Sequence, residues 1–489
     1  MTFFFILIPL NLFGINDFWD GVSVSYAFES KKNLALDEYM IQGGYFFQFI
    51  IYKFVFSISD YINISYKYFI NLSYAVILFL LAIELRKFSK TILKLDNFYS
   101  TLSGIILLLF PVWHILVSSI FISHILFVLF VFLSVRIFFS NSIYLKVFAL
   151  IILIISFELK SNFLFSIILF FSYEFKNNFE FKVLNFKNTI FIFFFNIVIY
   201  LISINYFAPY GLWENHNQII NIFNLYNFKH LIWHSLQYVT FLIPFILINL
   251  ILIFSSKKND KFLMIKDITE DKSLLLITLL VMTLFSILPY LLVLKSSKFF
   301  FDYQFSPRYT LLLVCCISLL LSFNFQLYFQ KNSSNKSLNI CISVVLFILA
   351  LSSIYHFAYK YNYLQFRDNL IKQLKLINIE PGIVVLNGNN IPNPIMITKE
   401  SNYVFWKSYG DSKWATHILK DRNIPKPDVK KFLKDNGNIV YLAENFKMRC
   451  LTTGEIITND YIGLPNVLSN LFNSNKNNLT INIKSKKCI

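Results

Sequence analysis

The chain has 489 residues, of which 56% are hydrophobic, 19% are aromatic and only 15% are charged. An ordinary soluble domain carries about one quarter charged residues, so this composition excludes that class and predicts a polytopic α-helical membrane protein. The formal net charge of +17 does not predict a nucleic-acid partner, because Lys and Arg gather in short loops and in the tail rather than along a basic groove interleaved with aromatic residues.

The N-terminal apolar segment, residues 2–15, has no positively charged n-region and no small-residue cleavage site, so we expect a retained membrane anchor. The first outer loop, residues 16–65, opens with NDFWDGVSVSYAF. Its carboxylates are expensive in hydrocarbon, which predicts a position at or outside the membrane surface. The later stretch GGYFFQFIIYKFVFSIS is apolar but contains Gln48 and Lys53. We therefore expect a helix that lies in the interface and walls a polar cavity.

Ten further apolar runs predict membrane spans, which with the anchor makes an all-α bundle of about 11 transmembrane helices. They cover residues 66–84, 100–118, 120–140, 144–157, 160–174, 188–207, 235–254, 273–294, 309–328 and 339–357. The two short runs on either side of residues 158–160 are open to a second interpretation, a hairpin that does not cross the membrane completely.

Lys and Arg follow the second, sixth, eighth and tenth predicted spans, all on one side of the membrane. The positive-inside rule makes that side the cytoplasm. The transmembrane domain is expected at residues 1–357. The outer loop and the soluble domain, residues 358–489, then share the outer face of a multi-pass protein, which we expect in a bacterial inner (plasma) membrane.

The tail predicts a small C-terminal α/β domain. YLQFRDNLIKQLKLIN has apolar residues at helical spacing, GIVVLNG and NIVYL are buried-strand patterns, and DVKKFLKD is typical of a surface helix. After about Asn473 the chain is dominated by Asn, Ser and Lys, which predicts a loosely ordered end. Cys450 and Cys488 are the only cysteines outside the apolar runs, so they are the only two expected to pair in an oxidising compartment.

Two carboxylates follow the first span at once, Asp17 and Asp20, with Trp19 between them. Partial desolvation at this depth would raise a carboxyl pKa toward that of a useful base. The alternative is that both groups only anchor the chain at the interface, since Trp19 is typical of an aromatic belt.

Three charged residues in apolar surroundings are further candidates. Glu158 and Lys160 interrupt the run SFELKSNF; charges inside a membrane are functional hypotheses by default, and the alternative is that they mark the turn of a hairpin. Arg308, followed by Tyr309, lies where an outer loop enters the tenth span. A guanidinium has the planar fork of donors that suits phosphate oxygens, although Arg308 could also be a positional anchor.

The order of these features resembles the GT-C superfamily of integral membrane glycosyltransferases. The resemblance is carried by the anchor, FWDGVSVSYAF, the aromatic helix GGYFFQFIIYKFVFSIS, the span ending in AIELRKFSK, and then FELKSN and SPRYTLLL. It implies that Asp20 is the catalytic base, with Asp17 beside it. Gly21 follows Asp20, so the Asp-Glu pair common in that superfamily is absent here.

The resemblance also implies the reaction. A polyprenyl-phosphate-linked sugar would be the donor, and an envelope glycan, lipid or protein the acceptor, in a hexosyl- or pentosyltransferase of polysaccharide biosynthesis. Arg308, Lys160, Glu158 and Tyr309 are the implied substrate-binding residues. No cofactor and no metal ligands are implied, and a divalent cation is left open. The other classes considered are a transporter or flippase of lipid-linked sugars and a non-catalytic scaffold of envelope assembly.

Overall fold

The computed structural model describes residues 24–26, 29, 40–41, 43–115, 119–177, 186–206, 208, 224–257, 270–295, 309–329, 335–388, 398–410, 414–420, 450–458 and 479–488. Within them the chain is mainly helical and has one small sheet. It divides into two compact units. The first contains the described residues from Met40 to Ser353 except 119–120, and the second contains residues 24–26, 29 and 119–120 together with the described residues from Ile354 onward.

The described ranges contain thirteen helices. They are α1 Phe46–Ile62, α2 Tyr66–Thr91, α3 Asn97–Leu109, α4 Pro111–Ile115, α5 Ser119–Phe138, α6 Ile143–Ser156, α7 Ser161–Asn177, α8 Phe186–Tyr206, α9 Leu225–Lys257, α10 Glu270–Leu291, α11 Leu311–Phe329, α12 Asn335–Lys375 and α13 Thr398–Tyr409. Each predicted span from 66–84 onward coincides with helix, whereas the predicted anchor, residues 2–15, falls outside the description.

Five helical segments are long and apolar enough to cross a membrane. They are Tyr66–Thr91, Phe121–Phe138, Tyr226–Ile248, Leu274–Leu291 and Asn339–Lys375. These helices leave large apolar side chains on the surface: on α2, Leu72, Val76 and Phe79 are exposed, while Ile70 and Leu78 are buried. An exposed apolar stripe at helical spacing is costly in water and is solvated by hydrocarbon. The apolar helices therefore support a membrane protein.

The predicted run 100–118 is divided in two at Pro111. Proline has no N–H to donate and its ring clashes with the preceding turn, so α3 ends and α4 begins there. Side chains donate to carbonyl groups of the last turn of α3 at this break. The Trp113 indole N–H donates to the Leu107 carbonyl at 2.6 Å, and the Ser353 hydroxyl donates to the Leu109 carbonyl at 2.7 Å.

Helix α2 is held by close packing on one side and by an ion pair on another. A Cβ on Gly104 of α3 would lie 3.1 Å from the Ala82 carbonyl oxygen, so the two helices approach closely at a small residue. Glu84 of α2 accepts both prongs of the Arg136 guanidinium of α5, at 2.6 and 3.1 Å. It also accepts from Lys87 at 2.9 Å. This bidentate pair ties α2 to α5.

The sheet of the second unit has the order β2-β1-β3-β4. Its strands are β1 Gly382–Gly388, β2 Trp414–Lys420, β3 Cys450–Thr458 and β4 Leu479–Cys488. β1 is parallel to β2 and β3, and β4 is antiparallel to β3. The central strand is a nearly continuous apolar run, as expected of a strand with parallel neighbours on both sides.

The predictions for the C-terminal tail have different outcomes. The strand GIVVLNG is confirmed as β1, while NIVYL and DVKKFLKD lie in parts of the chain that are not described. The helix predicted over YLQFRDNLIKQLKLIN is confirmed, but it is continuous with the last predicted span, because α12 runs unbroken from Asn335 to Lys375. The expected boundary at 357/358 lies inside this helix, and the boundary between the compact units falls after Ser353.

The prediction of a loosely ordered end after about Asn473 is wrong for residues 479–488, which form β4. Leu479 and Ile481 alternate with polar residues and are buried. The lysines that suggested disorder lie along an edge strand, where charge protects the sheet from further pairing. One of them, Lys484, forms an ion pair with Glu455 of β3 at 2.5 Å.

Candidate functional site

The turn of residues 157–160 joins α6 to α7 and is fixed by an amide side chain. Asn162 is buried, and its Nδ2 donates to the Ser156 carbonyl at 2.9 Å and to the Phe127 carbonyl of α5 at 3.2 Å. Helix α6 has 14 residues and extends about 21 Å, less than the roughly 30 Å of a hydrocarbon core. Its length favours the hairpin interpretation of this region.

Glu158 of this turn lies at the N-terminus of α1. Its side chain reaches two backbone amides in the first turn of the helix, Phe47 N to Oε2 at 2.5 Å and Gln48 N to Oε1 at 3.1 Å. The preceding residue, Tyr45, contributes no side-chain cap. A helix leaves its first N–H groups without partners, and the oxygens of a carboxyl group at that end satisfy them. Glu158 therefore caps a helix more than one hundred positions away in sequence.

Burial changes the acidity of the Glu158 carboxyl group. Glu158 is 5% exposed, and burial raises its pKa to about 8, against the lowering effect of the two amide hydrogen bonds. A carboxyl group with such a pKa is mostly protonated at pH 7 and can release its proton slightly above neutrality. Perturbed pKa values occur at catalytic sites and also in purely structural networks. The substrate-binding role predicted for Glu158 therefore stays a prediction.

The same turn meets a cluster of tyrosines. Lys160 is exposed, and the next residue, Ser161, is buried with its hydroxyl 3.1 Å from the Tyr290 hydroxyl at the end of α10. The Tyr290 and Tyr309 rings are 5.4 Å apart. The Lys295 ammonium group lies 5.7 Å from the centre of the Tyr309 ring. The turn predicted to bind substrate and the residue after Arg308 are thus connected through Tyr290.

The tyrosine cluster is anchored from a third helix. The hydroxyl of Tyr238 on α9 donates to the Tyr309 carbonyl at 3.1 Å, and Tyr238 is buried. This bond holds the chain just before α11, at the position where the sequence predicted that an outer loop enters a span. The cluster combines hydroxyl donors with a nearby cation, the groups that bind phosphate and sugar oxygens.

Helix α1 has the two faces expected of an interfacial helix. Gln48 and Tyr52 are buried, whereas Phe46, Ile50 and Phe54 are exposed. The helix prediction for this stretch is confirmed. Gln48 lies in the turn of α1 that Glu158 caps, and Phe46, Ile50 and Phe54 follow one another along the exposed face of the helix.

The second unit contains an aromatic and cationic cluster. Tyr26, which precedes α1 in the sequence, packs edge-on against Trp406 of α13, with ring centres 4.8 Å apart. The Arg367 guanidinium lies 5.4 Å from the ring centre of Tyr403, and Lys407 lies 5.3 Å from that of Trp406. These contacts join the loop segment to the C-terminal part of the chain, so both must lie on the same side of any membrane that the helices cross.

Basic side chains are buried along α12. His356, Lys360 and Arg367 are 1%, 5% and 1% exposed and recur at near-helical spacing on one helix. Burying a cation is costly unless a polar or charged group pairs with it, and all three side chains take part in interactions within the fold. On the same segment Asn362 is buried, and within the described residues neither polar atom of its amide has a hydrogen-bond partner.

The predicted site residues divide into two groups. Asp17, Asp20 and Arg308 lie outside the described residues. Glu158, Lys160 and Tyr309 are described and belong to one region of the first unit. Among the described residues no group of three or more His, Cys, Asp or Glu side chains could hold a metal ion.

Comparisons with protein-family models, with curated proteins and with solved structures gave no match.

Sequence reasoning missed several residues of these clusters. Tyr290 and Tyr238 lie inside apolar runs, where single tyrosines are common and carry no periodic signal. The basic stripe of α12 was detectable in principle, because HFAYKYNYLQFR places His, Lys and Arg four and seven positions apart. The assignment of the span to 339–357 and of a separate helix to the tail divided the stripe between two domains.

Proposed function

We propose that this protein is a membrane glycosyltransferase that moves a sugar from a polyprenyl-phosphate donor to an envelope glycan, lipid or protein acceptor on the outer face. The observation that carries the proposal is the meeting of two distant motifs. FELKSN contributes Ser161, SPRYTLLL contributes Tyr309, and both contact Tyr290. In the resemblance these are the motifs that bind the donor.

The donor's anionic phosphate would be held by Arg308 and Lys160, with tyrosine hydroxyls as neutral donors. Arg308 precedes Tyr309 directly in the sequence, and Tyr309 has the Lys295 ammonium group over its ring. Positive charge and hydroxyl donors at the ends of apolar helices suit a lipid phosphate, because the isoprenoid chain can stay in the hydrocarbon. The exposed apolar face of α1 suits the approach of such a lipid.

The reaction requires one base. Asp20 would take the proton from an acceptor hydroxyl while the acceptor oxygen bonds to the anomeric carbon of the sugar. The bond from that carbon to the phosphate oxygen breaks, and polyprenyl phosphate leaves with the electron pair. The donor ester supplies the driving force, so no nucleotide and no redox cofactor takes part in this proposal. A divalent cation beside the phosphate is compatible with it.

The central test compares Asp20→Asn with Asp17→Asn. The amide keeps the size of the carboxylate but cannot accept the proton, so transfer should fall about 100-fold or more in Asp20→Asn. Lipid-linked sugars and envelope glycans would be measured by mass spectrometry in cells that express each variant. We expect the polyprenyl-phosphate sugar to accumulate in Asp20→Asn cells only. Near-normal transfer by Asp20→Asn, or equal weak effects of both variants, would refute the role of Asp20.

The donor site has its own test. Arg308→Lys keeps the charge but loses the fork of donors, so the KM for the donor should rise while the amount of protein in the membrane is unchanged. Arg308→Ala should raise the KM further. An Arg308→Ala variant with an unchanged donor KM would remove this residue from the site.

A further inference from the structure

The register of the C-terminal hairpin sets two cysteines opposite each other. In the antiparallel pair of β3 and β4, Cys450 is the partner of Cys488. Residues directly opposite in such a pair have Cα atoms about 4.5 or 5.5 Å apart, depending on whether they exchange hydrogen bonds. Both distances lie inside the range of about 4.4 to 6.8 Å that a disulfide bond spans. The register therefore meets the Cα-separation requirement for a disulfide bond in either case.

The other cysteines do not compete for this pairing. Cys315 and Cys316 are buried in α11, and Cys341 lies on α12. All three belong to apolar helices of the first unit, whereas Cys450 and Cys488 belong to the second. Both tail cysteines also occupy strand ends, since β3 begins at Cys450 and β4 ends at Cys488.

We propose that Cys450 and Cys488 form a disulfide bond that fastens the last strand to the sheet. The two thiols lose two protons and two electrons as the S–S bond forms. The acceptor is the disulfide of a thiol-oxidising protein, which becomes a dithiol by thiol–disulfide exchange. Such partners act in compartments outside the cytoplasm. The inference is independent of the glycosyltransferase proposal, but it requires the second unit to lie on the oxidising side of the membrane.

In this sheet the disulfide bond would hold the edge strand β4 against β3. β4 is an edge strand and pairs only with β3 among the described strands. It is joined to β3 by a long connection, residues 459–478, which gives the unfolded chain much freedom to lose. A cross-link between the ends of the two strands removes part of that freedom before folding. The hairpin should then resist separation from the sheet.

The bond can be tested on the full-length protein in native membranes. Intact cells are treated with N-ethylmaleimide to block thiols, and the membrane protein is digested without reduction and examined by mass spectrometry. We expect one linked pair of peptides containing Cys450 and Cys488, lighter by two hydrogens than the reduced pair and lost after dithiothreitol. Peptides in which both cysteines carry maleimide before reduction would overturn the proposal, as would a link from either one to another cysteine.

Matched variants make the result specific. In Cys450→Ser, Cys488 should become labelled by maleimide before reduction, and Cys488→Ser should expose Cys450 in the same way. Cys341→Ser is the control and should leave the linked peptide unchanged. If neither single variant exposes the remaining thiol to maleimide in denatured, unreduced samples, the two cysteines are not partners.

Discussion

The cap that Glu158 provides for α1 makes a strong prediction about stability. Glu158→Ala removes the acceptor of two backbone N–H groups, those of the half-buried Phe47 and the buried Gln48. An unsatisfied buried donor costs about 1 to 3 kcal/mol and a half-buried donor costs less, so the free energy of unfolding should fall by at least about 1 to 3 kcal/mol. Glu158→Gln keeps one carbonyl acceptor but turns an amide donor toward the second N–H. We expect its loss to be roughly half as large.

The same residue predicts how stability depends on pH. Its pKa is about 8 in the folded protein and 4.5 in the ordinary case, so the folded state holds this proton more tightly than the unfolded state. The resulting stabilisation is complete below about pH 4.5 and is lost as the pH rises through 8. The slope approaches about 1.4 kcal/mol per pH unit between those values. Because Gln does not titrate, Glu158→Gln should lack this contribution.

The assay is thermal unfolding of the purified protein in detergent between pH 5 and 9. The wild-type melting temperature should fall with rising pH more steeply than that of Glu158→Gln. The matched control is Asp60→Asn, which changes an exposed carboxylate on the same helix and should follow the wild type. The cap argument would be refuted if Glu158→Ala melts at the wild-type temperature, and the titration argument if Glu158→Gln and the wild type show the same slope.

Three further changes test the packing. Ser353→Ala removes the donor to the Leu109 carbonyl and should lower the free energy of unfolding by about 1 to 3 kcal/mol. Ser353→Thr keeps the hydroxyl and is the control. Equal melting temperatures for the two variants would contradict the role of this bond. Gly454→Val should destabilise the packing of β3 against its neighbours by about 1 to 3 kcal/mol, since even a Cβ there would lie 2.9 Å from a side-chain carbon and 3.0 Å from a carbonyl oxygen. Hydrogen exchange of the sheet amides should accelerate. Unchanged protection of these amides would contradict the prediction. Arg136→Lys keeps the charge next to Glu84 but loses the two parallel hydrogen bonds of the guanidinium, so it should lower the melting temperature in detergent. A variant as stable as the wild type would mean that the bidentate geometry contributes little.

The positions of the helices were predictable because they depend on local hydropathy. An apolar run long enough to cross a bilayer must hydrogen-bond its own backbone, and the helix is the structure that does so within one segment. The same local logic predicted the helix of α1 from residues such as Gln48 and Lys53, and the strand β1 from its apolar run. It failed where the local signal was mixed, as at Leu479 and Ile481, whose alternation was hidden among lysines and asparagines.

The sequence by itself determined the membrane class of this protein, its helical segments and the central strand of its sheet. It also singled out Cys450 and Cys488, among five cysteines, as the two that lie outside the apolar runs. The tertiary structure alone decided which of these segments meet. That Glu158 caps α1, that Tyr309 and Ser161 both contact Tyr290, and that the two cysteines stand opposite each other depend on contacts between residues far apart in the chain. Hydropathy and residue spacing carry information about a few neighbouring turns of a helix or residues of a strand. The strand register and the capping partner depend instead on the packing of the whole unit, because a buried polar group needs a hydrogen-bond partner and that partner can come from any part of the chain.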